Sequence, residues 1–276
     1  MIPGTARLFD AMADEYEVLE PWYAHLYAVL HAIVRRALAP PADGARRRAL
    51  DAGCGTGFQA ALLAELGYQT HGLDVAARPL AHARRRLPRA AFALGTVEAL
   101  PYPDACFDAI TCCGSTLSFV AAPARALREL GRVLRPGGRL LLECEHAWSL
   151  DLAWALLDAV AGGRLGYGLS ARQAWASVAR RPSVGCVVRY PGYGRLRLFT
   201  TAELRTMLRQ SGLGIERTWG IHMLTNIVPS TLLHRPRLAR PLAGLFQALA
   251  AVDGALRRLP GTHRIANSVV VLARKA

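Results

Sequence analysis

Short apolar runs alternate with amphipathic stretches along the first half of the chain, as expected for strands that alternate with helices. The predicted strands are residues 48–52, 68–74, 91–94, 107–113 and 138–145. The predicted helices are residues 22–39, residues 58–66, a helix that stops at Pro88, and residues 123–134. Units of this kind form a parallel sheet, and ligands of such sheets bind at the carboxyl ends of the strands.

The alternation breaks after residue 146 and returns near residue 200. The elements predicted from there on are a helical stretch over 147–181, a hairpin of 184–190 with 195–199, a helix that opens at Thr201, and strands over 215–222 and 268–274. Residues 147–199 and 226–266 therefore interrupt the regular pattern as two insertions.

The chain of 276 residues is basic, with 34 Lys and Arg against 20 Asp and Glu and a net charge of +14. Such a balance favours contact with polyanions, anionic membrane surfaces or acidic substrates. Apart from Lys275, every basic residue is an Arg in an Ala- and Leu-rich background, which is also typical of a general composition bias. The charge therefore suggests classes of partner without identifying one.

Six cysteines occur without a CxxC pair, and no Cys/His cluster has the spacing of zinc ligands, so we expect no metal site. The N-terminal residues lack a signal-peptide pattern, and no apolar run reaches the length of a membrane span. We expect a reduced, cytoplasmic protein.

A turn with three glycines follows the first predicted strand directly. Gly53, Gly55 and Gly57 let the backbone approach a ligand without interference from Cβ atoms. A dinucleotide-binding loop would need its third glycine at the position of Phe58. Asp51 precedes the loop, where a carboxylate would repel a pyrophosphate but suits an ammonium group. The loop therefore favours a nucleoside that carries an amino acid over a dinucleotide.

Asp74 ends the second predicted strand, 23 positions after Asp51 (74 − 51). A carboxylate there can accept hydrogen bonds from both hydroxyls of a ribose. A helix N-cap is the alternative role for Asp74 and can coexist with ribose binding. The alternative for Asp51 is a solvated loop acid.

Five segments occur in a characteristic order: residues 51–57, the strand end at Asp74, residues 95–102, residues 107–110 and residues 134–138. They resemble class I S-adenosylmethionine-dependent methyltransferases, and most closely the type 11 group, which includes the ubiquinone and menaquinone C-methyltransferases. The resemblance covers roughly residues 46–146, about a third of the chain. Each segment alone is weak evidence, but the five in this order are specific.

The resemblance implies S-adenosyl-L-methionine as the cofactor. The residues that it implies as cofactor-binding are Gly53, Cys54, Gly55 and Gly57 at the methionine part, Asp51 at the ammonium, Asp74 and Val75 at the ribose, Thr96, Val97 and Glu98 at the adenine, and Cys113 near the sulfonium. The family usually has Asp at the position of Thr96, so adenine recognition departs from the pattern. Residues 9–16 also resemble the family's N-terminal segment, in which Tyr16 would cap the cofactor; helix packing is the alternative for Tyr16.

The implied reaction is an in-line transfer of a methyl group to a nucleophile. The cationic sulfur activates its own methyl, so the protein needs positioning, desolvation and sometimes a base. Candidate bases are Glu145 and His146 at the end of the fifth strand, with His222 as a weaker one. We select His146 as the catalytic residue because histidine titrates near neutrality. A loop position without a catalytic task is the alternative for each.

The substrate predicted is a small or lipid-like molecule of the quinone, polyketide or isoprenoid type. Residues 111–115 lack the Asn/Asp-Pro-Pro-aromatic run of nucleobase methyltransferases, so we expect no nucleic-acid partner. The two insertions are rich in aromatic residues, which suits a hydrophobic ligand. Arginines flank an apolar stretch within residues 237–259, which could rest peripherally on the inner face of a membrane. A helix packed on the sheet is the alternative for that stretch.

The predicted fold class is α/β, with a Rossmann-like, mostly parallel sheet of seven strands, helices on both faces and lid insertions. The predicted organisation is a single domain over 1–276, with a helical cap (1–45), a cofactor-binding core (46–146), a substrate lid (147–199) and a C-terminal part of the sheet (200–276) that carries the helical insertion 226–266. An RNA-modifying methyltransferase and a non-catalytic scaffold that binds the same cofactor remain the alternative functions.

Overall fold

The computed structural model describes residues 1–148, 150–179, 187–190, 193–233, 240–256 and 261–276. In the first helix the side chains of residues 15–27 are outside the described ones, and this range contains Tyr16. Across the described ranges, no helix combines the length and the apolar character that a membrane crossing requires.

Seven strands form one sheet, which confirms the predicted fold class. They are β1 (Arg48–Ala52), β2 (Gln69–Asp74), β3 (Ala91–Leu94), β4 (Phe107–Cys112), β5 (Leu134–Glu145), β8 (Leu213–Ile221) and β9 (Ser268–Lys275), while β6 (Val187–Tyr190) and β7 (Gly194–Arg197) pair separately as an antiparallel hairpin. The order in the sheet is β3-β2-β1-β4-β5-β9-β8. The pairs β1–β2, β1–β4, β2–β3 and β4–β5 are parallel.

Nine α-helices occur in the described ranges. They are α1 (Thr5–Ala37), α2 (Phe58–Glu65), α3 (Ala77–Arg86), α4 (Pro123–Val133), α5 (Asp151–Val160), α6 (Ala171–Ala179), α7 (Thr201–Gln210), α8 (Ser230–Leu233) and α9 (Arg240–Leu256). Short 3-10 helices cover Thr116–Phe119, Thr225–Ile227 and Thr262–Arg264.

Two helical regions differ from the sequence prediction. The first helix begins at Thr5 rather than near Trp22, because Leu8, Phe9, Met12 and Ala13 already follow helical spacing. The stretch predicted as one helix over 147–181 contains α5 and α6 with a break between them. Gly162, Gly163, Gly166 and Gly168 all adopt positive φ in this break, and a helix cannot continue through such residues.

The central strands β1 and β4 and residues 140–144 of β5 are almost completely buried, as expected for parallel strands covered on both faces. Leu50, Ile110 and Leu141 are fully buried core residues on these strands. The carboxyl ends of parallel neighbours lie at the same edge of the sheet. Thus Ala52, Asp74, Leu94 and Cys112, the last residues of β1 to β4, bring their following loops to one edge.

The chain divides into two compact units. The first comprises Met1–Glu143, Arg205–Arg217 and Val271–Ala276, and the second comprises Cys144–Leu204 and Thr218–Val270. In the second unit, the backbone N–H of His146 donates to the Asn267 carbonyl (2.7 Å), and the Trp154 indole donates to the Asn226 carbonyl (3.1 Å).

Candidate cofactor site

A cleft lies in the first unit, where the loops after β1, β2, β3 and β4 meet. Counted with its open mouth and the solvent there, the space between its lining residues is about 880 Å³. The predicted site residues that line it are Gly53, Cys54, Gly55, Asp74, Val75, Thr96, Val97 and Cys113. Asp51, Gly57 and Glu98 are described but are not in direct contact with this space.

The three glycines of the turn after β1 are needed for two different physical reasons. A Cβ on Gly53 would lie 2.2 Å from the Thr116 Oγ1, and a Cβ on Gly57 would lie 3.1 Å from the Ala83 Cβ. A Cβ on Gly55 would meet no protein atom within 4 Å, yet Gly55 lines the cleft and has φ of +50°. Gly53 and Gly57 therefore allow close packing, whereas Gly55 keeps a bare backbone open towards a ligand.

The carboxylate of Asp51 is buried and only half satisfied. The Thr111 hydroxyl donates to its Oδ1 at 2.8 Å, while no donor among the described residues meets hydrogen-bond geometry at Oδ2. Burial raises the pKa of Asp51 to about 7, and the nearby charge of Asp74 acts in the same direction. The Ala60 backbone is nevertheless near enough to this carboxyl to act against the rise in its pKa. A buried carboxylate oxygen without a donor is costly, and Asp51 lies two residues before Gly53, which lines the cleft, so a donor on a bound ligand would satisfy it.

Both carboxylate oxygens of Asp74 accept backbone hydrogen bonds in the loops of the site. Its Oδ2 accepts the Gly55 N–H at 2.8 Å, and its Oδ1 accepts the Ala76 N–H at 2.9 Å. Burial raises the pKa of this carboxyl. Ala76, rather than Asp74, occupies the N-cap position of α3. Since each carboxylate oxygen has a second lone pair, the two backbone bonds leave acceptor capacity for ribose hydroxyls.

Thr96 and Glu98 form a small hydrogen-bonded group after β3. The Glu98 N–H donates to the Thr96 hydroxyl at 3.2 Å. The Glu98 carboxylate accepts the Ala122 N–H at 2.7 Å and contacts the amino group of Met1. Thr96 lines the cleft, whereas the Glu98 carboxylate is used to hold neighbouring backbone in place.

Glu143 is a buried carboxylate of the site that the sequence reasoning missed. Its Oε2 accepts the Ser115 N–H at 2.7 Å, and this bond holds a turn in which Gly114 and Ser115 both have positive φ. Burial and the charge of Glu143 keep the pKa of Cys113 well above its usual value, so that thiol stays protonated. An acid within the apolar run of β5 was the available signal.

Aromatic rings supply the apolar part of the cleft, which was also not predicted. Phe9 and Phe119 pack edge to face with ring centroids 5.1 Å apart, and Phe58 lines the cleft with them. The Arg86 guanidinium lies 3.8 Å from the Phe58 ring centroid and donates to the Thr56 carbonyl at 2.8 Å. This contact fixes the loop after β1 to helix α3.

The candidate bases belong to the second unit. His146 is buried, and its Nε2 lies 3.3 Å from the Thr201 hydroxyl. The Nδ1 of His222 lies 3.4 Å from the Thr225 hydroxyl. Their catalytic roles, like that of Glu145, stay predictions.

Comparison with known proteins matches residues 50–142 to the family described as a methyltransferase domain, which confirms the predicted resemblance there. The chain is 39% identical over 124 residues to the malonyl-[acyl-carrier protein] O-methyltransferase of Erwinia pyrifoliae, covering 43% of this chain and 46% of that protein. It is 36% identical over 139 residues to the demethylmenaquinone methyltransferase of Beutenbergia cavernae, covering 50% and 56% respectively. The chain thus spans about half the length of these curated relatives.

A solved structure of an S-adenosylmethionine-dependent methyltransferase from Thermotoga maritima aligns with 98% of this chain and 99% of that chain. The TM-score is 0.58 at 20% sequence identity, so this likeness concerns the fold alone. The chain therefore has the fold of the class I methyltransferases, and its residues 50–142 match the family described as a methyltransferase domain.

Proposed function

We propose that this protein is an S-adenosylmethionine-dependent methyltransferase that acts on a small or lipid-like acceptor. The observation that carries the proposal is the unpartnered, buried Asp51 Oδ2 beside the glycine turn of the cleft. A cationic amino group is the ligand feature that would satisfy this oxygen.

The residues present fit the cofactor at each of its parts. Asp51 would accept the ammonium, Gly55 would lie against the methionine chain, and Asp74 would accept the ribose hydroxyls. Thr96 and Val97 line the cleft where the adenine would bind. Tyr16 is proposed as the cap, on the sequence pattern alone.

When bound, the cofactor supplies a methyl group that its own positive sulfur activates. The protein contributes three buried carboxylates at this edge of the sheet, those of Asp51, Asp74 and Glu143. Their negative charges contribute to the raised pKa of the buried thiols of Cys54 and Cys113, which line the cleft. Negative groups arranged in this way favour a cationic ligand over a neutral or anionic one.

We assign the role of general base to His146, which would accept a proton from the acceptor. Replacement by Asn would then lower the rate of methyl transfer at neutral pH while leaving cofactor affinity unchanged. If the acceptor has no proton to lose, the rate of methyl transfer should be the same in the wild type and in His146→Asn. Equal rates would refute the assignment.

A small-molecule acceptor is supported by the named relatives, which include enzymes for a malonyl-[acyl-carrier protein] and a demethylmenaquinone. The aromatic residues that line the cleft suit an apolar acceptor molecule beside the cofactor. Incubation of the protein with methyl-labelled cofactor and a cell extract tests the proposal. Label is expected in the organic-soluble fraction, and Asp51→Asn should abolish it while Glu65→Gln, an exposed carboxylate change, should not.

Label in the RNA fraction would contradict the proposed acceptor class, while methyl transfer from the cofactor would still be supported. Cofactor binding without label in any fraction would favour the non-catalytic scaffold.

A further inference from the structure

Helix α9 in the second unit has an outer face without charged side chains over its described positions 241–255. Eight of its positions between Pro241 and Ala255 are exposed, and Gln247 is the one polar residue among them. Leu245 and Val252 are exposed by 48% and 47% and lie seven residues apart, which places them on the same side of the helix. In α4 of the first unit, by contrast, the two exposed residues are Arg125 and Arg128.

The opposite face of α9 is firmly attached to its own unit. Phe246 and Asp253, also seven residues apart, are buried. The Asp253 carboxylate accepts the N–H groups of Met223, Leu224 and Thr225 at 2.8–3.1 Å and the Thr225 hydroxyl at 2.9 Å. The apolar outer face is therefore presented by a fixed helix and does not turn inward.

The sequence segment that contains α9 is strongly basic. Residues 218–270 contain six arginines and a single acid, Asp253, whose carboxylate is buried and used as described. The arginines stand before the helix, at its start and after it: Arg235, Arg237, Arg240, Arg257, Arg258 and Arg264. Such a segment repels a second copy of itself and attracts an anionic surface.

The second unit also exposes large apolar side chains elsewhere. Of the eleven large hydrophobic residues that are exposed in the described ranges, ten lie in this unit, and Leu94 is the exception. Two of the ten are tryptophans, Trp148 and Trp175, at 47% and 63% exposure. Tryptophan, arginine and aliphatic residues are the types that membrane interfaces favour.

We propose that the outer face of α9 rests on an anionic lipid surface, with Leu245 and Val252 inserted among the acyl chains and the arginine-rich sequence of residues 218–270 supplying the attraction to the headgroups. This contact is independent of the cofactor site. A protein that works on a lipid-like acceptor would gain local access to it, but the binding itself needs neither cofactor nor acceptor.

The test is flotation of the full chain, without cofactor, with vesicles of phosphatidylcholine containing phosphatidylglycerol and with vesicles of phosphatidylcholine alone. The wild type should float with the anionic vesicles only, and raising the ionic strength from about 0.1 M to about 0.5 M should weaken binding. Leu245→Glu should reduce the bound fraction about tenfold. Leu94→Glu, the same change at a 59% exposed site of the first unit, should leave it unchanged.

Three results would overturn the proposal: no preference for anionic vesicles, equal loss in both variants, or a dimer in solution that Leu245→Glu dissociates. Binding of RNA or of an acidic protein that is insensitive to Leu245→Glu, with no flotation, would show that the charge alone acts. Ala248→Glu on the same face replaces Leu245→Glu if circular dichroism shows that the latter does not fold. Because the cofactor is absent throughout, calorimetry with the cofactor product tests the proposed function separately.

Discussion

The two compact units place their charged and apolar groups in opposite ways. The first unit buries carboxylates around a cleft, and one exposed large apolar residue, Leu94, occurs in its described part. The second unit exposes apolar side chains, and its segment 218–270 has arginines with one buried acid. This difference in charge and exposure is the basis for proposing a cationic ligand inside the first unit and an anionic lipid surface outside the second.

Two buried aspartates show the same difference at the level of single residues. Asp253 in the second unit accepts four hydrogen bonds from the loop at 223–225. Asp51 in the first unit accepts the Thr111 hydroxyl on one oxygen and has no partner on the other. A satisfied buried carboxylate stabilises the fold, whereas an unsatisfied one costs stability until a ligand supplies the donor.

Replacement of a crowded glycine in each unit should have the largest effect. Gly53→Ala forces a Cβ to within 2.2 Å of the Thr116 Oγ1 at a φ of +82°, and Gly220→Ala forces one to 2.7 Å from the Thr262 carbonyl. We expect each to lower the free energy of unfolding by about 3 kcal/mol in urea denaturation. Gly53→Ala should also weaken cofactor binding about a hundredfold, and Gly220→Ala should not. A similar loss of affinity in both would show that the cleft is not confined to the first unit.

Removal of the Asp253 charge should destabilise the protein without affecting the cleft. Asp253→Asn removes acceptor capacity from the N–H groups of Met223, Leu224 and Thr225, so we expect a loss of about 2 kcal/mol in thermal or urea unfolding. Affinity for the cofactor should stay at the wild-type value. A variant as stable as the wild type would mean that this carboxylate does not hold α9.

The pH dependence of binding should follow the ionisation of Asp51. Its pKa in the folded protein is raised to about 7, so the carboxyl is largely protonated at pH 6 and largely ionised at pH 8. Cofactor affinity should rise about tenfold between these values in the wild type and stay nearly flat in Asp51→Asn. Isothermal calorimetry at both pH values measures this.

The raised pKa of Asp51 makes stability fall with rising pH, whereas it makes cofactor affinity rise. The folded state keeps the Asp51 proton up to about pH 7, whereas the unfolded chain releases it near the ordinary pKa of 3.8. Asp51 therefore lowers the free energy of unfolding as the pH rises from about 4 to about 7. The stability of Asp51→Asn relative to the wild type should therefore be greater at pH 7 than at pH 4. An equal difference at both pH values would refute the raised pKa.

The contact between helix α3 and the cleft loop should give the smallest effect. Arg86→Met keeps the apolar stem but removes the guanidinium from the Phe58 ring and from the Thr56 carbonyl. We expect about threefold weaker cofactor binding. The exposed neighbour Arg85 provides the control, since Arg85→Met changes the net charge equally.

The same contrast between the units limits what the sequence can predict. The glycine turn, Asp74 and the strand ends were predictable because a parallel sheet requires particular residues at fixed positions along one edge. Glu143 was missed because an acid within an apolar strand gives no indication of the turn at Ser115 that it holds. In the second unit, helical spacing alone predicted one helix where glycines at 162–168 separate two. For residues 237–259 the sequence left open both membrane contact and packing on the sheet, because an apolar stretch looks the same whether it faces the core or the solvent.

The central claim is that Asp51 Oδ2 is the acceptor for the amino group of the cofactor. Calorimetry with S-adenosylhomocysteine at pH 8 should show binding by the wild type, about fiftyfold weaker binding by Asp51→Asn, and unchanged binding by Asp253→Asn. Equal affinity in the wild type and Asp51→Asn, or no heat of binding in the wild type, would contradict the account.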